Sequence, residues 1–423
     1  MLLLQRASAP STSHGKIGLA IAGGGPLGGI YELGALRALE LATEGLNLTR
    51  VDVSVGVSSG AFLAAGLANR MSTADICRIF ITGDSDDVRF RPAQFVRPAL
   101  FKYVRRAAGL PRIMLDWCST LLAEPTDSRL SDLIGHFGGL IPIGLFDNSG
   151  IEQFLRELFS QRGRSNDFRE LARPLYVASV DLDSGEAIRF GSAGWDDIPI
   201  SKALQASSAL PGLYPPVDIR GRHFVDGALR RTMNASAVLD HGIDLLLAVN
   251  PLVPFDTNSA ALRSNRHVDR IAQGGLPVVL SQTFRTLLQS RVEVGLAKYA
   301  EMYPKVDQIV LEPNADDSEM FFTNLFSYSS RRRMCEHAFR GTLADLRSRR
   351  ELLGPVFERH GLKLRDAVLD DPHPSLIKGL PPMHAATETT AQLRHALDTV
   401  DDLIATRTRS TTRRGSAGKR STR

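Results

Sequence analysis

A serine flanked by glycines stands where a strand pattern changes into a helix pattern. The pentapeptide Gly56-Val57-Ser58-Ser59-Gly60 follows the apolar run 51–55 and precedes the helical pattern 61–67. A serine at the apex of such a turn is clear of neighbouring side chains, and the glycines allow the close backbone approach that the turn demands. The pattern is typical of a nucleophilic hydroxyl on Ser58, with Ser59 as the nearest alternative. Small residues also fill ordinary turns of this kind, so the pentapeptide alone does not establish catalysis.

A glycine-rich loop occupies a second strand-to-helix junction. The segment Ala22-Gly23-Gly24-Gly25-Pro26-Leu27-Gly28-Gly29 lies between the apolar run 17–21 and a helical pattern that begins near Tyr31. Backbone N–H groups at the start of a helix are unpaired and carry the positive end of the helix dipole, so they can bind an anion. In an acyl hydrolase that anion is the oxyanion of the tetrahedral intermediate.

An aspartate ends a third strand-like segment. Phe224-Val225-Asp226-Gly227-Ala228 follows the hairpin-like stretch 217–223, which places a carboxylate at a strand end beside a glycine. Such a carboxylate can take the serine proton directly when the two side chains are roughly 2.6–3.2 Å apart. Asp-Gly is also a common turn dipeptide, and the triplet taken alone favours a plain turn. The order of all three segments favours a dyad of Ser58 and Asp226 instead.

Together the three segments resemble the signature of the patatin-like phospholipase family. That signature is a G-x-G-x-x-G loop, a G-x-S-x-G elbow and a D-G-A or D-G-G triplet, found here at 23–28, 56–60 and 226–228. The stretch 206–217 also looks like the segment that precedes the triplet in this family. The resemblance covers roughly residues 16–250.

The resemblance implies an acyl hydrolase with Ser58 as nucleophile and Asp226 as general base. It also implies an oxyanion hole built from backbone N–H groups of the glycine loop. Pro26 has no N–H, which leaves Gly24, Gly25, Leu27 and Gly28 as donors. Leu27 departs from the pattern, because many members of the family carry arginine or lysine there, and any role of that cation is absent. No metal or organic cofactor is expected.

The substrate implied by the resemblance is a lipid or other ester, of phospholipase A, lysophospholipase or esterase type. Three other functions compete with this one. The loop also fits a dinucleotide-binding fingerprint, which requires an acid at the end of the second strand, whereas Asp52 lies near the start. A Ser-His-Asp hydrolase could use His223 or His241, but that fold places several strands before its nucleophile. A catalytically silent lipid-binding or regulatory protein would keep the fold without turnover.

The alternation of strand and helix patterns predicts an α/β protein of the patatin-like three-layer type. Its mostly parallel central sheet lies between helices, with Ser58 at the carboxyl ends of the strands and a helical carboxyl-terminal extension. We expect a disordered segment over 1–15, a catalytic domain over 16–252, a mainly helical extension over 253–403 and a basic disordered tail over 404–423. Helices are predicted over 73–81, 98–107, 113–122, 151–159, 234–240 and 278–303, and strands over 175–180, 186–190, 243–249 and 308–311.

Composition favours a globular enzyme with a large core, because 43% of the 423 residues are hydrophobic and 23% are charged. The three cysteines form no even framework and point to a reducing compartment, so a cytoplasmic location is expected.

The net charge of +5 includes seven cations and no acid in residues 405–423, which leaves about −2 for the rest. Peripheral contact with an anionic membrane is therefore expected through the tail, whereas the basic amphipathic stretch 94–108 favours a core-packing helix over a membrane-contact helix. No specific nucleic acid is expected as a partner, and the oligomeric state is left open.

Overall fold

The fold is built on a mostly parallel β-sheet. A computed structural model of the chain describes residues 2–8, 15–83, 88, 90, 95, 97–98, 144–259, 271, 275–322 and 328–377. The predicted helices over 98–107 and 113–122, the stretch 94–108, the end of the extension and the basic tail lie wholly or largely outside these residues. The strands are β1 (Leu2–Gln5), β2 (Ile17–Ile21), β3 (Thr43–Glu44), β4 (Val53–Val57), β5 (Arg97–Pro98), β6 (Phe146–Asp147), β7 (Leu175–Asp181), β8 (Ala187–Phe190), β9 (Val217–Ile219), β10 (Arg222–Asp226), β11 (Leu245–Val249), β12 (Asp307–Leu311) and β13 (Lys363–Leu364).

Among the described residues, nine strands form the main sheet in the order β1-β12-β11-β2-β4-β7-β10-β9, with β8 also paired to β7. The strands from β12 to β7 are parallel, whereas β1, β8, β9 and β10 pair in an antiparallel sense.

The helices are α1 (Gly25–Ala42), α2 (Ser59–Ala68), α3 (Thr73–Cys77), α4 (Ser149–Phe159), α5 (Ile200–Ser207), α6 (Ser236–Leu239), α7 (Gly275–Met302), α8 (Ser318–Phe322), α9 (Tyr328–Ser348), α10 (Arg350–Arg359) and α11 (Asp366–Leu369).

Helices cover both faces of the sheet, and the alternation of side chains along the strands shows how. Leu19 and Ile21 of β2 belong to an apolar core that includes residues of α1, α2, α4 and α9. Ala20, between them, belongs to a second core with residues of α6 and α7. Successive side chains of a strand point to opposite faces, so strands covered on both sides read as continuous apolar runs. The predicted three-layer α/β fold is confirmed.

The amino terminus joins the sheet, so the predicted disorder over 1–15 is wrong for its first part. Leu2 pairs with Leu311 and Gln5 with Gln308, which makes β1 the antiparallel edge of the main sheet. The leucine-rich run is short, and its partner strand lies about 300 residues further along the chain. Local composition could not reveal a strand stabilised by so distant a neighbour.

The extension after residue 252 contributes to the same sheet and the same core. Strand β12 lies between β1 and β11. Helix α9 packs along α1, where the backbone of Cys335 approaches Gly34 so closely that an added Cβ would lie 2.4 Å from its carbonyl oxygen. The boundary predicted at residue 252 therefore runs through the sheet rather than between two separate cores.

Candidate active site

Ser58 lies on a sharp turn between β4 and α2. Its backbone has φ 50° and ψ −121°, a conformation that a residue with a side chain rarely adopts, and the residue is 6% exposed. A Cβ added at Gly56 would lie 2.3 Å from the Cα of Ala61, and one at Gly60 would lie 2.3 Å from the carbonyl oxygen of Ala22. Both flanking glycines are therefore required by close backbone approach.

The turn is held in place by a second serine, Ser207, at the end of α5. The Ser58 N–H donates to Ser207 Oγ at 2.8 Å, and the Ser207 hydroxyl donates to the carbonyl of Ala178 at 2.6 Å. Ser207 is fully buried. Ser207 lies in the stretch 206–217, but nothing local in the sequence indicates a bond to a residue 149 positions away.

Replacing Ser207 by alanine is expected to weaken both the fold and turnover. The Ser58 N–H and the Ala178 carbonyl would lose their partner, at a cost of about 1–3 kcal/mol in the free energy of unfolding. A displaced nucleophile would lower kcat by about 10-fold to 100-fold. Thermal unfolding and ester hydrolysis measure the two effects. Ser208→Ala is the matched control, since the Ser208 hydroxyl donates to the carbonyls of Leu204 and Gln205 in the adjacent α5. Equal behaviour of the two variants would contradict this role of Ser207.

Asp226 reaches the elbow because β10 runs antiparallel to β7. The strand ends with Asp226 paired to Ser179, and the chain then passes so close to Ala178 that a Cβ on Gly227 would lie 2.3 Å from its carbonyl oxygen. Residue 178 also pairs with Val57, the last residue before Ser58. The two side chains, 168 residues apart in sequence, thus lie together at the end of β4.

The Asp226 carboxyl is buried, with 3% of the residue exposed. Its Oδ1 accepts a hydrogen bond from the Ala228 N–H at 2.9 Å. Burial raises the pKa of Asp226 from 3.8 to about 6, because the charged form loses its hydration, while hydrogen bonds from the Ser58 side chain and the Ala228 N–H act in the opposite direction. A carboxyl with this pKa is mainly ionised at pH 7 and basic enough to accept a proton.

The glycine loop packs directly on the other two segments. A Cβ added at Gly23 would lie 3.1 Å from the Ser58 Cβ and 3.2 Å from the Ala228 Cβ. Gly25 has φ +62° and would tolerate no side chain in that conformation without strain, although the space around it is open. The loop, the elbow and the triplet identified in the sequence thus meet at one place.

Two of the four expected oxyanion donors are already engaged. The Gly24 N–H donates to Ser59 Oγ at 3.0 Å, and the Gly28 N–H donates to the Gly24 carbonyl at 3.0 Å as part of the first turn of α1. Within the part of the chain that the structure describes, the N–H groups of Gly25 and Leu27 have no acceptor. The set of available donors therefore narrows to Gly25 and Leu27.

Ser59 faces the glycine loop rather than Asp226. Besides accepting from Gly24, its hydroxyl donates to Glu32 Oε1 at 3.4 Å. Glu32 is fully buried on α1, and burial raises the pKa of its carboxyl well above the usual value. Ser59 thus supports the loop, which leaves Ser58 as the hydroxyl beside Asp226.

The residues required by the competing functions are bonded elsewhere. His223 Nδ1 lies 3.2 Å from Asp183 Oδ2, and His241 Nε2 lies 2.8 Å from the Tyr176 hydroxyl. Asp52 accepts from the Ile17 N–H at 2.9 Å at the start of β4, away from the strand end where a ribose would bind. These contacts support neither a histidine-based triad nor a dinucleotide site.

Comparison with known proteins gives the family that the three sequence motifs resemble. Residues 19–239, just over half of the chain, match the model of the patatin-like phospholipase family. The chain therefore belongs to the patatin-like phospholipase family, a family of lipid ester hydrolases.

Several solved structures are similar at low identity. VipD from Legionella pneumophila is 18% identical, with 62% of this chain and 56% of that chain covered and a TM-score of 0.30. Full-length ExoU from Pseudomonas aeruginosa, solved with SpcU, is 16% identical, with 71% and 54% covered and a TM-score of 0.28. Human GIVD cytosolic phospholipase A2 is 14% identical, with 61% and 44% covered and a TM-score of 0.25. The chain spans about half the length of these proteins.

Proposed function

We propose that the protein is a serine acyl hydrolase that cleaves lipid esters with a dyad of Ser58 and Asp226. The observation that carries the proposal is the contact between a strained elbow serine and a buried carboxyl whose pKa is raised to about 6. Phospholipid and lysophospholipid are the preferred substrate classes, on the strength of the family.

The proposed reaction has two acyl-transfer steps. Asp226 accepts the Ser58 proton as the hydroxyl attacks the ester carbonyl, and the proton then passes to the leaving alkoxide. The N–H groups of Gly25 and Leu27, at the amino terminus of α1, stabilise the negative charge on the carbonyl oxygen. In the second step Asp226 accepts a proton from a water molecule that attacks the acyl carbonyl, and this proton passes to Ser58 Oγ as its bond to the acyl group breaks and the fatty acid leaves.

Two features support these roles. The elbow holds Ser58 at the start of α2, so the nucleophile is fixed by backbone geometry rather than by a flexible side-chain contact. Val57, Ala178, Ala228 and Leu288 of α7 form a small apolar cluster next to the dyad. Such surroundings keep water from the carboxyl and make its proton affinity suitable for catalysis near neutral pH.

The test is hydrolysis of short- and long-chain esters, phosphatidylcholine and lysophospholipid, with a fluorophosphonate label mapped by mass spectrometry. A label on Ser58 together with turnover would support the hydrolase and rank the substrates. Absence of both a label and turnover would instead favour the silent lipid-binding protein.

Peripheral contact with a lipid surface is part of the proposal. No helix in the described part of the chain is long and apolar enough to cross a membrane. Helix α7, which carries Leu288 next to the dyad, exposes Leu280, Phe284, Leu287 and Val294. Spacings of four, three and seven residues place these side chains on one helical face, as in helices that lie on a membrane.

Replacing Leu280 and Leu287 by aspartate is expected to weaken vesicle binding at least about tenfold. Each leucine that becomes buried in the lipid on binding contributes about 1.5–3 kcal/mol to the free energy of binding. The two residues are 56% and 57% exposed, so the fold should be unaffected. Co-sedimentation with phosphatidylcholine vesicles is the measurement. Leu352→Asp on α10 is the control, since Leu352 is similarly exposed at 53%. An equal effect of the control, or no effect of the pair, would remove α7 as the contact.

A further inference from the structure

A cavity of about 650 Å³ lies beside the loop that follows Asp226 and its triplet. It is bounded by residues 230–236 on one side and by the carboxyl-terminal half of α7 on the other, with Arg189 and Asp240 between them. Neither Ser58 nor Asp226 lines it. Its volume is typical of a site for a small organic ligand.

The lining of the cavity is strongly basic. It contains Arg189, Arg230, Arg231, Arg291 and Lys298, and Asp240 is the carboxylate among its lining residues. Arg189 lies 3.7 Å from Asp240, whereas the other four cations form no ion pair with any residue that the structure describes. Five cations around one cavity with a single carboxylate create a positive potential that attracts an anion.

Two buried polar side chains in the lining also lack partners. Thr232 is 3% exposed and Asn234 is 2% exposed. The Thr232 hydroxyl and both amide atoms of Asn234 make no hydrogen bond within the described ranges. A buried polar group without a partner costs about 1–3 kcal/mol, so a polar ligand in the cavity would relieve an existing penalty.

The lining also contains apolar and aromatic side chains. Met233 contributes from the loop, Val292, Tyr299 and Met302 contribute from α7, and Tyr303 follows directly after that helix. An inorganic anion would leave these side chains uncovered. A ligand that combines an anionic group with an organic portion fits both the cations and the apolar side chains.

The geometry points to a site for an organic phosphate, and we propose that this cavity binds one. Guanidinium groups suit phosphate oxygens because they offer paired donors in a plane, and a dianion balances converging cations better than a single carboxylate does. The phosphate would lie near Arg231, Arg291 and Asn234, with the organic portion along Tyr299 and Met302. A phospholipid headgroup and a soluble phosphomonoester share this chemistry.

The site is connected to the glycine loop. The Thr232 carbonyl accepts from the Gly23 N–H at 3.1 Å, and the Arg291 guanidinium donates to the Leu229 carbonyl. Thr232 therefore contacts the glycine loop through its carbonyl and also lines the cavity. Occupancy would stabilise the loop that holds Gly23 against Ser58.

The test measures binding in a full-length Ser58→Ala chain, so lipid is not consumed and the result does not depend on turnover. Glycerol 3-phosphate is titrated by calorimetry, and vesicles of phosphatidylcholine with or without phosphatidic acid are tested by co-sedimentation. We expect Arg231→Gln with Arg291→Gln to raise the dissociation constant at least about tenfold, because each removes a charge-assisted hydrogen bond. Both side chains are exposed, so the double variant should fold.

Asn234→Gly is a second variant, because glycine keeps the φ of +49° while removing the amide, and we expect it to weaken binding as well. Arg156→Gln, at an exposed position on α4, is the control and should bind like the parent. Binding of glycerol 3-phosphate that the cavity variants lose identifies a soluble phosphate as a ligand. Variant-sensitive binding only to vesicles that contain phosphatidic acid identifies the headgroup. No binding of either probe, or binding that all variants retain, would overturn the proposal.

Discussion

Ser58→Ala is expected to abolish ester hydrolysis, with a fall in kcat on the order of 10⁴-fold or more, while the protein stays folded. Loss of a nucleophile in hydrolases of this kind removes the covalent route and leaves only binding and oxyanion stabilisation. The small alanine side chain leaves the bond from the residue 58 N–H to Ser207 intact. Circular dichroism and thermal unfolding check the fold, and hydrolysis of the preferred ester checks the activity.

Ser59→Ala is the matched control for this experiment. The Ser59 hydroxyl accepts from Gly24 and donates to Glu32, so its removal should loosen the glycine loop and lower kcat by about tenfold, without loss of fluorophosphonate labelling. Turnover in Ser58→Ala, or a label on residue 59, would reject Ser58 as the nucleophile. The two variants therefore separate the chemical role of one serine from the supporting role of its neighbour.

The elements that hold the site were predictable because their signals are local. Gly56 and Gly60 are needed where an added Cβ would collide with backbone, and Gly25 is needed for its positive φ. Adjacent parallel strands β2 and β4 bring their carboxyl ends to one edge of the sheet, which places the glycine loop beside the elbow. Pattern and spacing carry this information without any knowledge of distant contacts.

The remaining parts depend on contacts between residues far apart in sequence. Ser207 bonds to Ser58, β1 pairs with β12, and Leu288 joins the apolar cluster that contains Ala228, and in each case the residue types are ordinary. The reduced set of oxyanion donors also depends on tertiary structure, because the Gly24 N–H is taken up by its hydrogen bond to Ser59. Sequence patterns do not encode which N–H groups are already engaged.

Asp226→Asn is expected to lower kcat/KM about 10³-fold or more, because an amide cannot accept the Ser58 proton. In the wild type, kcat/KM should rise with pH and level off above about 6, as Asp226 loses the proton that blocks its action as a base. Asp183→Asn is the control, since Asp183 is exposed and contacts His223. Asp226 would be excluded as the base if kcat/KM of the wild type fell only near pH 4. It would also be excluded if Asp226→Asn kept normal turnover and the same fall of kcat/KM at acidic pH.

The same variant is expected to be more stable than the wild type at neutral pH. The folded-state pKa of Asp226 is raised from 3.8 to about 6, so its contribution to stability is fully present below pH 3.8 and is lost as pH rises through about 6. Asparagine has nearly the same shape and never ionises. The free energy of unfolding of Asp226→Asn should therefore exceed that of the wild type by up to about 3 kcal/mol at pH 7, and the difference should fall below about 1 kcal/mol near pH 4. Urea unfolding at the two pH values measures it. A variant that is inactive yet more stable than the wild type at pH 7 would mean that the buried charge of Asp226 serves the chemistry at the expense of the fold. Equal stability of the variant and the wild type at both pH values would show that the Asp226 carboxyl is not desolvated.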